Sequence, residues 1–96
     1  MAGLELDLSV VIVNYNGERL LRPCLDSMLA AASGLALEVF VVDNGSGDGS
    51  VALVRDGYPD VTVIANADNL GFARANNQAL AVSRGRNSRC ITCDSR

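Results

Sequence analysis

Three short apolar runs rich in β-branched residues constrain this chain more than any other feature. They lie at residues 8–13 (LSVVIV), 37–42 (LEVFVV) and 61–65 (VTVIA), and each gives way to polar loop formers. Continuous apolar runs of this length read as strands buried on both faces. Between them the apolar period lengthens. Leu20, Leu21, Cys24, Leu25, Met28, Leu29 and Ala32 recur at helical spacing over residues 18–33. Pro23 falls within that pattern, so the regular helix is expected to begin there, after an irregular turn over 17–22. Ser50 is expected to cap a short helix running to about Asp56, which Gly57-Tyr58-Pro59-Asp60 stops. A small-residue helix from Gly71 to about Arg84 offers Phe72, Ala75, Ala79, Leu80 and Val82 for packing, and Gly85 ends it.

Strand–helix alternation of this kind predicts an α/β fold: a parallel three- to four-stranded sheet with helices on both faces, half of a doubly wound architecture. In such sheets ligands sit outside the carboxyl ends of the strands. Three loops converge there, at residues 14–17, 43–49 and 66–71.

Composition narrows the chemistry. The 96 residues suffice for one small domain, and a net charge of −3 offers no basic stripe for nucleic acid. Histidine is absent. The usual general base and the Ser-His and Cys-His nucleophile systems go with it, leaving acid–base work to Asp and Glu. Three cysteines, no leader-like segment and no apolar run near the roughly 20 residues that span a bilayer imply a cytoplasmic chain.

The stretch VFVVDNGSGDGS, residues 39–50, admits several readings. As a calcium loop starting at Asn44 it places Arg55 where a bidentate Glu is required, and a strand rather than a helix precedes it. As a dinucleotide loop its GxGxxS is a near miss that follows the second strand instead of the first. As a solvated turn it is ordinary, since Asp, Asn, Gly and Ser populate turns without any ligand. That reading leaves Asp43 unexplained, because Asp43 closes a buried strand at the ligand edge. A carboxylate there can accept the N3–H of uracil or thymine, which cytosine lacks, at about 1.5–3 kcal/mol.

Taken together, SVVIVNYNGERLLRPCLDSML, VFVVDNGSGDGS and NADNLGFARANNQAL resemble the N-terminal, donor-binding half of family-2 glycosyltransferases of the GT-A fold, with the rhamnosyltransferase-like branch most similar. The resemblance covers residues 8–86. It implies inverting transfer of a sugar from a UDP- or dTDP-sugar to an acceptor hydroxyl, the acceptor being a saccharide or lipid-linked glycan. It implies that Asn14, Tyr15 and Asn16 pack around the nucleoside, that Asp43 bonds the base, and that Asn69, Gly71, Phe72 and Asn76 close over ribose and diphosphate. Many relatives carry an arginine at or beside position 76; this chain has Asn76, with Arg74 two residues earlier. A non-catalytic nucleotide-binding module is the alternative. A receiver-like switch ranks last, because the first strand ends in Asn-Tyr-Asn rather than an acidic cluster.

The family's next element is a strand ending in a DxD-like motif that holds Mg²⁺ or Mn²⁺, and Asp94 falls at that register. Residues 87–96 (NSRCITCDSR) lose the apolar pattern, so a division into a nucleotide-sugar-binding unit 1–86 and a frayed tail 87–96 is expected. On that expectation the chain is a truncated or frame-shifted donor-binding fragment, peripheral to the membrane at most, that binds nucleotide weakly and turns nothing over. Cys90 and Cys93 form one CxxC, too few ligands for a structural zinc site. No catalytic residue is assigned.

Overall fold

The computed structural model describes the backbone of residues 6–31 and 34–94 and the side chains of residues 7–31 and 34–84. The elements run β1 (Leu6–Tyr15), α1 (Glu18–Ala31), β2 (Leu37–Asp43), α2 (Ser50–Gly57), β3 (Thr62–Ala65), α3 (Phe72–Leu80) and β4 (Gly85–Asp94). The strands form one sheet in the order β3-β2-β1-β4, every pair parallel.

That order explains which helix covers which face. The chain steps outward from β1 to β2 to β3, then returns across the sheet to add β4 beside β1. Right-handed crossovers put helices of the outward steps on one face and the returning helix on the other. Accordingly Leu21 and Leu25 of α1 and Val54 of α2 pack on Val10, Ile12, Val39 and Val41. Ala75 and Ala79 of α3 pack on Val11, Val13, Phe40 and Val42. The strand alternation thus feeds two cores, one built from leucines and one from alanines that let α3 approach closely. The reversal point lies between β1 and β4, where a doubly wound sheet opens its crevice.

Several expectations need correcting. Pro23 sits inside α1, which already begins at Glu18. The bond Pro23 cannot donate would go to the Arg19 carbonyl, and both residues lie on the solvent side, so the break is cheap. Leu20 and Leu29 are exposed, leaving Leu21 and Leu25 to carry the buried stripe with Cys24 and Met28 half-buried. Ala32 lies outside the described residues. α3 stops at Leu80; Val82 and Phe72 are both exposed and pack no core.

The expected frayed tail is also replaced. Backbone of Gly85–Asp94 pairs with β1 from Leu6↔Gly85 to Tyr15↔Asp94. A central strand buried on both faces would leave Asn87, Ser88 and Arg89 without partners. β4 instead has a single ladder neighbour among the described residues, and edge strands tolerate polar sequence.

Candidate functional site

At the carboxyl ends of β1 and β2 the apolar runs end in side-by-side partners, Asn14 and Asp43. Both are buried, at 0% and 2% exposure. The Asp43 carboxylate is engaged within the protein. Its Oδ1 accepts from Asn14 Nδ2 at 2.9 Å and from Ser46 Oγ at 2.7 Å, and its Oδ2 accepts from the Ser46 amide at 2.9 Å. The carboxylate therefore gathers three donors and curls the loop after β2 back on itself. Both oxygens of the carboxylate thus have partners within the protein.

Ser46 extends the knot to the first loop. Its hydroxyl oxygen accepts from Asn14 Nδ2 at 3.2 Å and from the Asn16 amide at 2.8 Å, while Asn16 Oδ1 accepts from the Gly47 amide at 2.8 Å. Asn16 adopts φ 53°, a left-handed conformation that asparagine tolerates better than most residues. Asn14 and Asn16 thus hold the neighbouring loop rather than capping their own turn. Among the described residues, Asn14 Oδ1 is a buried acceptor with no partner.

A third layer joins the two helix starts. Asp48 Oδ1 accepts from the amide and hydroxyl of Ser50, and its Oδ2 accepts from the Glu18 amide at 3.2 Å. Glu18 Oε1 in turn accepts from the Gly49 amide at 2.9 Å. Ser50, expected as the cap, is already helical; Gly49 holds the cap position without a side-chain bond, and the Ser50 amide donates to Asp48 one residue further out. Desolvation pushes the Asp48 carboxyl up, but hydrogen bonds from the Ser50 side chain, the Ser50 amide and the Glu18 amide outweigh it and hold the group below the ordinary carboxylate value.

The other flank of the same loop meets the segment between β3 and α3. Asn44, 2% exposed, donates from Nδ2 to the Gly71 carbonyl at 3.3 Å and accepts on Oδ1 from Asn66 Nδ2 at 3.1 Å. Asn66 and Gln78 exchange a reciprocal pair of amide bonds at 2.8 and 2.9 Å. Gly45, at φ 83°, lies so close to Ala67 and Asp68 that a Cβ would stand 3.0 Å from the Ala67 carbonyl oxygen. Asn69 Oδ1 accepts from the Gly71 amide at 2.8 Å, and Gly71, at φ 84°, leads into α3.

The expected residues are thus distributed unevenly. Asn14, Asn16 and Asp43 form one bonded cluster through Ser46. Asn69 and Gly71 share the α3 entry, with Phe72 exposed at 45% beside them. Tyr15, 36% exposed, ends β1 in register with Asp94 of β4 at the reversal point. Asn76 is half-buried one turn into α3, and Arg74 is exposed. The side chains of Cys90, Cys93 and Asp94 lie outside the described residues. Sequence reasoning missed Glu18, Ser46, Asp48, Asn66 and Gln78 as parts of this edge. The density of Asp, Asn and Ser in 43–50 signalled Ser46 and Asp48, whereas nothing local marked Glu18, or Asn66 and Gln78 as a pair.

The profile of Glycosyl transferase family 2 matches residues 9–95, almost the whole chain and including β4. The chain belongs to glycosyl transferase family 2. Among its curated relatives, the uncharacterised glycosyltransferase YibD of Escherichia coli is 33% identical over 82 residues, covering 82% of this chain and 23% of YibD. The uncharacterised glycosyltransferase YfnE of Bacillus subtilis is 35% identical over 79 residues, covering 80% of this chain and 20% of YfnE. A mannosyltransferase from Pyrobaculum calidifontis, solved in complex with GDP-mannose and Mn²⁺, superimposes with a TM-score of 0.70 at 30% identity, covering 82% of this chain and 25% of that one. The chain therefore spans about a quarter or less of the length of these glycosyltransferases. Its fold is the parallel α/β half of a GT-A glycosyltransferase. Among the described residues no helix is long and apolar enough to cross a membrane.

Proposed function

We propose that this chain is the donor-binding part of an inverting family-2 glycosyltransferase. It would bind a nucleoside diphosphate sugar across the carboxyl edge of the sheet for transfer to an acceptor hydroxyl. The observation that carries the reading is the joining of three loops, 16–17, 44–49 and 66–71, along the carboxyl ends of β1, β2 and β3. On this reading Asn14, Asn16 and Asp43 build the floor beneath the nucleoside. Tyr15 and Phe72, both exposed, supply flat apolar surface, and Asn69, Gly71 and Asn76 flank the ribose and diphosphate.

A carboxylate accepts the imide N3–H of uracil or thymine, and equally the N1–H of guanine. The Pyrobaculum relative was solved with GDP-mannose. We therefore widen the donor class from UDP- and dTDP-sugars, the rhamnosyl donor included, to GDP-sugars. Among the described residues Asp43 Oδ2 accepts one bond, from Ser46, and a carboxylate oxygen has a second acceptor position for a base that approaches edge-on.

A divalent metal fits the same edge. Asp94 ends β4 opposite Tyr15. Mg²⁺ and Mn²⁺ sites of this type use one or two carboxylates and take the remaining ligands from substrate phosphates and water. Such a cation would offset the charge gained by the departing nucleoside diphosphate. No residue is assigned as the catalytic base. The protein is proposed to act in the cytoplasm, at most peripheral to a membrane.

Calorimetric titration of UDP, dTDP, GDP and CDP, with and without Mn²⁺, tests the reading. Weak binding of one imide-bearing diphosphate, strengthened by Mn²⁺ in the wild type but not in Asp94→Asn, is the expected result. Binding without any metal effect favours the non-catalytic module, and no binding of any diphosphate overturns the proposal.

A further inference from the structure

We infer that Asp48 is a positioning residue: one carboxylate caps two helices at once and thereby sets the distance between the first two loops of the donor edge. Its functional consequence rests on the donor-binding reading above, whereas its structural part does not.

The geometry is specific. Two oxygens of one side chain face two different helix starts, Oδ1 toward Ser50 at the head of α2 and Oδ2 toward Glu18 at the head of α1. A helix start leaves its first amides without partners, and an Asp normally serves one such end. Here the Glu18 side chain closes the ring by accepting from the Gly49 amide. The approach is tight: a Cβ on Gly49 would lie 2.8 Å from Glu18 Oε2. Between the two capped ends lie Asn16 and Gly47, themselves bonded. Helices α1 and α2 are therefore joined at their amino ends by this ring, directly above the Asn14–Asp43–Ser46 knot.

Asparagine at position 48 separates a double clasp from an ordinary cap. Its single carbonyl oxygen can still cap α2, but its NH₂ would turn a donor toward the Glu18 amide. An ordinary α2 cap predicts that Asp48→Asn resembles the wild type. A double clasp predicts that it fails on the α1 side alone. Gly49→Ala displaces the Glu18 carboxylate, which is the flexible end of its side chain, and leaves Asp48 in place.

Amide hydrogen exchange by NMR reads this on the intact chain. In Asp48→Asn, Glu18 and Gly47 are expected to exchange faster while Ser50 stays protected. In Asp48→Ala all three lose protection, and in Gly49→Ala residue 49 and Gly47 do. If Glu18 and Gly47 keep wild-type protection in Asp48→Asn, the double clasp is overturned. Affinity for the diphosphate that binds the wild type is expected to drop about fivefold in both Asp48 variants. Unchanged affinity in Asp48→Ala would show that the clasp does not position the donor edge. A wild type that binds no diphosphate defeats the donor reading, and the exchange pattern still decides the clasp.

Discussion

The loop after β2 is held on its two flanks by different chemistry. Toward β1 and α1 most acceptors are carboxylates: Asp43 takes Asn14 and Ser46, Asp48 takes Glu18 and Ser50, and Glu18 takes Gly49, with Ser46 and Asn16 as neutral acceptors between them. Toward β3 and α3 the partners are neutral amides, Asn44, Asn66 and Gln78. A carboxylate only accepts, so it collects several amide protons and dictates the path of a loop backbone. A side-chain amide both gives and takes, so two of them satisfy each other and join elements without shaping either backbone. The charged flank therefore sets the shape of the edge. The neutral flank sets where the β3–α3 segment sits against it.

Removing the carboxylate of Asp43 is the harshest way to break this contrast. Asp43→Ala leaves Asn14 Nδ2, the Ser46 amide and the Ser46 hydroxyl without their acceptor in a buried setting. Each orphaned buried group costs about 1–3 kcal/mol, so a loss of about 3 kcal/mol or more is expected in urea denaturation, with the midpoint falling and the slope unchanged. A loss below about 1 kcal/mol would mean that the knot contributes little to the native state.

The neutral flank should yield less. Asn66→Ala and Gln78→Ala each remove one side of a reciprocal pair that stays half-buried. A net contribution near 1 kcal/mol per bond in such a setting predicts losses of about 1 kcal/mol each, and a double-mutant cycle should return a coupling of at least about 0.5 kcal/mol. Strict additivity of the two variants would show that the amides do not depend on one another.

How much of this could be read from the residues follows the same division. The strands were readable because a buried parallel strand is an unbroken β-branched run, and Val10–Val13 and Val39–Val42 are that. Helix positions were readable from the 3.6-residue period, but which leucines of α1 turn inward was not, since Leu20 and Leu21 look alike until the sheet order is known. The charged flank was half readable: Asp43 and the Gly-Ser-Gly-Asp-Gly run stand out, yet whether a carboxylate faces a ligand or its own loop depends on contacts 30 residues apart. The Asn66–Gln78 pair left no local mark, because its partners sit on a strand end and a helix brought together only by the third crossover. β4 was misread because polar residues argue against a strand, whereas the backbone of 85–94 pairs along β1.

The smallest expected effect, and the one that separates the flanks most cleanly, is their response to pH. The Asp48 carboxyl is held below its ordinary range, so the stability it contributes is fully present above its unfolded value and is lost as pH falls through the lower, folded value. The charged groups around it are Glu18 across the ring, Arg22 and Asp56 along the adjoining groove, and Asp43 at the loop's start. Because Asp48 is solvent-exposed, screening limits the effect to under about 1 kcal/mol. Stability should thus stay level from neutral pH to about pH 5 and decline below about pH 4. Asp48→Asn should be less stable at neutral pH and should lose part of that decline. At the alkaline end Tyr58 behaves in the opposite sense. Its hydroxyl donates to Asp26 at 2.6 Å, which together with burial raises its pKa, so its contribution is complete below the unfolded value near 10 and is lost as pH climbs through the higher, folded one. The Asn66–Gln78 pair takes up no proton anywhere in this range, so its coupling energy should be the same at pH 4 and pH 8. A coupling that shifts with pH would tie the neutral flank to the carboxylates through the shared loop, and the two flanks would then act as one unit.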